Sequence, residues 1–207
     1  MYRKPTLISE YRKQLINLNG LLTENKPLYN FGTHIEALYV ILHALNPKPD
    51  DILMEVGGGH FSTPILLATN SRVLTLEQGQ NVSDAQNDNW LKVLKQTYQS
   101  NPNWTLMDLP GTKLWKDAVY PEDMSFCFVD GNGDCRKEIV DFMLARNVPV
   151  IAAHDSETKS FRYDTIKNIP QYSVYDYRGR EVWTRVWSSN PAVNNAMDNH
   201  KSFVKLK

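Results

Sequence analysis

The chain of 207 residues is short of cysteine, of net charge and of long apolar runs, and each shortage narrows what it can be. Only Cys127 and Cys135 are present. Two cysteines build no disulfide framework and their spacing matches no zinc motif, so the sequence points to a reducing compartment and to neither thiol as a nucleophile. Lys plus Arg is 23 and Asp plus Glu is 23. The resulting zero net charge removes the global basic field that draws most proteins to nucleic acid, and so argues against that partner. No stretch approaches the about 18 consecutive apolar residues of a membrane span. Met1 to Pro5 leads into Glu10-Tyr11-Arg12-Lys13 rather than into the apolar core of a leader, so a cytoplasmic location without membrane contact is expected.

What is present fits one globular domain. Hydrophobic residues make up 42% and charged residues 22%, which excludes a collagen-like or largely disordered chain, and the length suits a single α/β unit over residues 1–207. Residues 1–30 carry a weak helical pattern (Leu7, Tyr11, Leu15, Leu18, Leu22) and read as a helical cap. A helix is expected from Thr33 to Leu45, with Thr33 as N-cap and Glu36 three residues on, as in a capping box. His34 then falls at the helix start, where it is either a further histidine candidate for a site or a solvent-exposed residue.

From there β-rich and helical runs alternate. Strands are predicted at Ile52 to Val56, Arg72 to Glu77, Trp104 to Leu109, Ser125 to Asp130 and Val148 to Ala153. Helices are predicted at Ser62 to Thr69, Val82 to Gln99 and Cys135 to Arg146. Such alternation implies βαβ units, hence a Rossmann-like, doubly wound, mainly parallel sheet with helices on both faces. Gln171 to Tyr177 and Glu181 to Trp187 alternate around Arg178-Gly179-Arg180, so a seven-stranded sheet should end in an antiparallel hairpin, with Trp183 and Trp187 in its core. The Asn-rich residues 188–207 read as a polar, weakly packed tail.

The most informative segment runs from Asp51 through Glu55-Val56-Gly57-Gly58-Gly59-His60 to Pro64. A strand ending in an acid, a glycine loop and a helix start form a strand-turn-helix nucleotide site. Absent side chains let a ligand approach the backbone, whose exposed N–H groups can bind an anion. About twenty residues on, Glu77 ends the next strand, where such folds place an acid on the ribose hydroxyls. Two cofactors suit this geometry, a nicotinamide dinucleotide or S-adenosylmethionine. The dinucleotide fingerprint wants glycine at positions 57, 59 and 62, and position 62 is Ser62.

Glu55-Val56-Gly57-Gly58-Gly59 resembles the first motif of class I S-adenosylmethionine-dependent methyltransferases. That resemblance implies cofactor contacts at Glu55, Gly57, Gly58, Gly59 and His60, a ribose acid at Glu77 and a polar residue near the adenine at Asp108. Phe126 to Asp130 followed by Gly131 resembles the family's fourth motif, beside the transferring methyl group, so Asp130 joins the cofactor set. Together with His154-Asp155 this looks like small-molecule and carbohydrate O-methyltransferases, some of which hold a divalent metal on such carboxylates. Lys4-Pro5-Thr6-Leu7, Glu10-Tyr11 and Tyr29 to Thr33 resemble methyltransferase-fold proteins encoded by bacteriophages.

Methyl transfer to oxygen needs an aligned acceptor and a proton acceptor, and His154, with a pKa suited to neutral pH, and Asp130 are the candidate catalytic residues. Asp130 and Asp155 end neighbouring strands and offer hard oxygen ligands to magnesium or manganese, with Glu157, His154 or Asn132 as a third; alternatively Asp155 caps the segment that follows and Asp130 orients the cofactor's ammonium. The function expected is methyl transfer to a small molecule or sugar. A non-catalytic binding protein of the same fold and an NAD-dependent oxidoreductase stand as alternatives.

Overall fold

The computed structural model describes residues 33–59, 61–78, 84–109, 115–131 and 135–206. The expected N-terminal cap, His60 and Asn132 lie outside them. In chain order the elements are α1 (Ile35–Leu45), β1 (Ile52–Val56), α2 (Ser62–Leu67), β2 (Arg72–Gln78), α3 (Asp84–Tyr98), β3 (Trp104–Leu109), β4 (Met124–Val129), α4 (Arg136–Ala145), β5 (Val150–His154), β6 (Ser173–Tyr177), β7 (Thr184–Ser188), α5 (Pro191–Asp198) and β8 (Phe203–Lys205).

They form one eight-stranded sheet in the order β3-β2-β1-β4-β5-β7-β6-β8. The five strands from β3 to β5 pair in parallel, and β7, β6 and β8 add antiparallel. The central strands are apolar on both faces because helices cover both. Along β4, Phe126 and Phe128 pack on the side of α1, α2 and α5, while Met124, Cys127 and Val129 pack on the side of α4. From Phe126 to Val129 side chains alternate in direction, so one apolar run serves two cores, and a register shift between Met124 and Phe126 turns Met124 to the α4 side. Full burial of Phe126 and Phe128 contributes roughly 1.5 to 3 kcal/mol each. Among the described residues no helix is long and apolar enough to cross a membrane.

Three sequence expectations change. The described stretch 188–206 is packed and ordered into α5 and an eighth strand. Asn190 Oδ1 accepts from the N–H groups of Ala192 (2.9 Å) and Val193 (3.1 Å), Pro191 opens the helix, and Val193 and Met197, four residues apart, are buried. Two apolar positions in an Asn-rich run are too few to stand out as a period, although the Asn-Pro start was a legible cap. Second, Thr33 does not cap α1; position 34 is the N-cap, without a side-chain capping bond, and the Thr33 hydroxyl is spent on His154. Third, the turn between β6 and β7 is longer than Arg178-Gly179-Arg180, since pairing starts only at Tyr177 and Thr184. Trp187 is in the core, whereas Trp183 lies outside the strand with the Arg178 guanidinium 4.2 Å above its ring.

Candidate active site

Two groups of residues meet at the carboxyl ends of β1, β2, β4 and β5, the edge where open α/β sheets bind ligands. The first is the loop after β1. Gly57 has φ +86°, and a Cβ there would lie 2.5 Å from Gly131 Cα, so the position demands glycine. Its N–H donates to Leu76 O at 2.9 Å, while the N–H of Asp130 donates to Val56 O at 2.8 Å. The end of β1 is thereby tied backbone to backbone to β2 on one side and to β4 on the other. Gly58 N–H donates to Glu77 Oε1, and a Cβ at position 58 would meet Thr75 Cγ2 at 2.7 Å. Gly59 N–H donates to Thr63 Oγ1 at 3.1 Å.

Glu55 lies beneath this loop with no solvent exposure. Its carboxylate accepts from Ser62 Oγ (2.9 Å), Thr63 Oγ1 (2.6 Å) and Thr75 Oγ1 (2.6 Å), and the last hydroxyl accepts in turn from Trp104 Nε1 at 2.7 Å. Burial pushes the Glu55 carboxyl up to about 7, against the pull of the three hydroxyls. The expectation that Glu55 faces a cofactor thus meets a carboxylate already satisfied within the fold; it holds the loop from below. Ser62, where a dinucleotide fingerprint would have its third glycine, is one of those partners. Glu77 sits at the end of β2 opposite Asp108 of β3 in register, which places both expected ribose and adenine residues at one corner of the sheet edge. With its three glycine N–H groups donated within the fold, this corner offers a nucleoside-bearing ligand the close backbone approach that the absent side chains allow, together with the Glu77 carboxylate.

The second group surrounds Asp130, the first residue after β4, and His154, the last of β5. His154 Nδ1 lies 3.2 Å from Asp130 Oδ1 and 3.4 Å from an oxygen of Asp155, and its Nε2 lies 2.7 Å from Thr33 Oγ1. Burial alone would lower the His154 pKa, but the bond and charge of Asp130 and the charge of Asp155 prevail and raise it above the ordinary value. Desolvation likewise works upward on Asp130, and is outweighed by His154, His34 and Arg136, which hold the carboxyl below its usual range.

His34 corrects the sequence reading. Instead of standing in solvent it is 4% exposed, with its ring 4.9 Å from Phe128 and edge-on to His154 at 4.7 Å. The chain entering α1 crosses the end of β4 there, and helical periodicity carries no information about that packing. Burial drives the His34 pKa down to about 3, so the ring is neutral.

Arg136 is the residue sequence reasoning missed. It opens α4, is buried, and its guanidinium reaches Asp130 Oδ1 at 3.0 Å and Asp155 Oδ2 at 2.7 Å while Nε donates to Gly131 O at 2.8 Å. The ring of Phe161 lies 4.6 Å beneath it. Asp130 and Asp155, the pair expected to offer oxygens to a metal, both pair with this cation. Glu157 accepts from Trp183 N–H at 2.8 Å and is drawn toward the β6–β7 turn. The only sequence signal for Arg136 was a basic residue at a helix start, the end where the helix dipole disfavours it, which implies a local anionic partner.

Neither a family model nor a curated protein matches the chain. Solved structures do match in fold. An O-methyltransferase from Bacillus cereus in complex with SAH superposes with TM-score 0.55 at 15% identity, covering 91% of this chain and 93% of that one. A human methyltransferase 10 domain containing protein gives TM-score 0.54 at 15% identity, with 90% and 99% covered. The SAH-bound methyltransferase PaMTH1 of Podospora anserina gives 0.52 at 12% identity, with 91% and 98% covered. The chain has the Rossmann-like fold of class I methyltransferases, with antiparallel C-terminal strands.

Proposed function

We propose that this protein is an S-adenosylmethionine-dependent methyltransferase that acts on an oxygen of a small molecule or sugar. The observation that carries the reading is the Gly57–Gly59 loop, which has no room for side chains at Gly57 and Gly58, abuts Asp130-Gly131 and is tied through Gly58 to the strand-end acid Glu77. When bound, the sulfonium cofactor would supply an activated methyl group. In this reading Glu77 accepts from ribose hydroxyls, the side-chain-free loop lets the methionine end lie against its backbone, and Asp130 lies beside the ammonium. Asp130 keeps the proton of His154 on Nδ1, which leaves Nε2 as the basic atom. Nε2 already meets a hydroxyl, Thr33 Oγ1, at the 2.7 Å that general-base transfer requires. An acceptor hydroxyl taking that place would give its proton to His154 as the in-line displacement proceeds.

Calorimetric titration with S-adenosylmethionine, S-adenosylhomocysteine and NAD tests the cofactor. Saturable binding of both sulfur nucleotides, weakened in Glu77→Ala, supports the reading. No heat from either on folded protein would sink it, and NAD binding alone would favour an oxidoreductase.

A further inference from the structure

His34 poses a problem that the proton-transfer reading leaves untouched. Both ring nitrogens are buried and, among the described residues, neither has a hydrogen-bond partner. Leaving such a group unsatisfied costs about 1 to 3 kcal/mol, which a fold tolerates where something else occupies the position. His34 Nδ1 stands 4.0 Å from Asp130 Oδ2, and donor atoms of His34, Asp130 and His154 all lie within 4.8 Å of one another.

The geometry points to a transition-metal site in which His34, Asp130 and His154 hold one divalent ion. It does not rest on the methyltransferase reading, and it differs from the magnesium set considered above in placing His34, not Asp155, beside Asp130 and His154. Two imidazoles and one carboxylate suit zinc, manganese or iron better than magnesium, which prefers oxygen and keeps its water. Donors about 2.1 Å from a common ion stand about 3.4 Å apart, so small side-chain rotations close the cluster. The surroundings suit it as well. With Nδ1 ligating, the remaining His154 proton sits on Nε2 and is donated to Thr33 Oγ1, and Arg136 continues to orient Asp130 through Oδ1, as outer partners of metal ligands do. The ion and a proton compete for His154 Nδ1. The loaded protein should therefore lose any activity that depends on His154 as a base.

The test uses the full chain, freed of metal by chelator and titrated with zinc, manganese and magnesium. One zinc per chain is expected, with manganese weaker and magnesium weaker still. Copper(II) loaded into the wild type should show electron-paramagnetic coupling to two imidazole nitrogens, and Asp155→Asn should keep that signature. His34→Gln should lose one of the two nitrogens and weaken zinc by more than about 100-fold, while Thr33→Val should cost about tenfold. Failure of folded wild type to bind any transition ion, or a copper spectrum without two nitrogens, would overturn the site. Magnesium preference abolished by Asp155→Asn would overturn it in favour of the carboxylate pair. Titrating the same samples with S-adenosylmethionine separates the two proposals: nucleotide without ion refutes only the metal site, and ion without nucleotide refutes only the methyltransferase reading.

Discussion

Glu55→Gln offers a quantitative test of how the glycine loop is held. The wild-type carboxyl is buried and its pKa is raised from 4.5 to about 7. Below the lower value Glu55 is protonated in both folded and unfolded chains. Between the two values only the unfolded chain ionises, and stability falls as pH rises. Above about 7 the folded protein carries the charge at a constant penalty. At 1.36 kcal/mol per factor of ten, the loss across this window is about 3 kcal/mol. Glutamine removes the titration but turns an amide NH2 toward hydroxyls that now donate to an oxygen, which costs about 1 kcal/mol at every pH. Urea unfolding of both proteins between about pH 4 and pH 8 should therefore give curves that cross. The variant should be less stable by about 1 kcal/mol at the acidic end and more stable by about 2 kcal/mol at the alkaline end. Parallel curves would show that Glu55 ionises normally in the folded chain and would refute the account of its burial.

Other outcomes follow from the same contacts. Gly57→Ala should destabilise the fold by more than about 1 kcal/mol in thermal unfolding, because it meets both the positive φ and the backbone of Gly131. Gly59→Ala, whose nearest neighbour is the movable Ser62 hydroxyl at 3.0 Å, should cost less. Arg136→Met leaves Asp130 and Asp155 with His154 as their shared partner and should cost about 3 kcal/mol, read by urea unfolding at neutral pH. Once an acceptor is known, His154→Ala should lower kcat by about 100-fold or more while cofactor affinity, measured by calorimetry, stays the same. The base must be unprotonated, so wild-type kcat/KM should rise with pH through the raised His154 pKa. Asp130→Asn should move that rise to lower pH, and an unmoved profile would remove His154 from the reaction.

The parallel half of the fold was legible because its strands are nearly pure apolar runs bounded by Gly, Pro and Asn, and β4 from Met124 to Val129 has no competing helical period. The same logic failed after Ser188, where the signal is a two-residue stripe and one cap. In the site, glycines and strand-end acids were visible because their spacing along the chain is itself the constraint. His34, Thr33 and Arg136 were not, since each reaches Asp130 or His154 from a different element. Only the crossing of α1 and α4 over the ends of β4 and β5 brings them together.

The eighth strand has a consequence for solubility. β6 pairs on one side with β7 and on the other with Phe203–Lys205 through Tyr175, Asp176 and Tyr177. Without those three residues the row of N–H and C=O groups along β6 would become an open rim, flanked by two tyrosines and ready to template strand addition from another copy. A fusion partner or deletion that pulls β8 away would thus convert a paired strand into an aggregation seam, far from any residue concerned with chemistry.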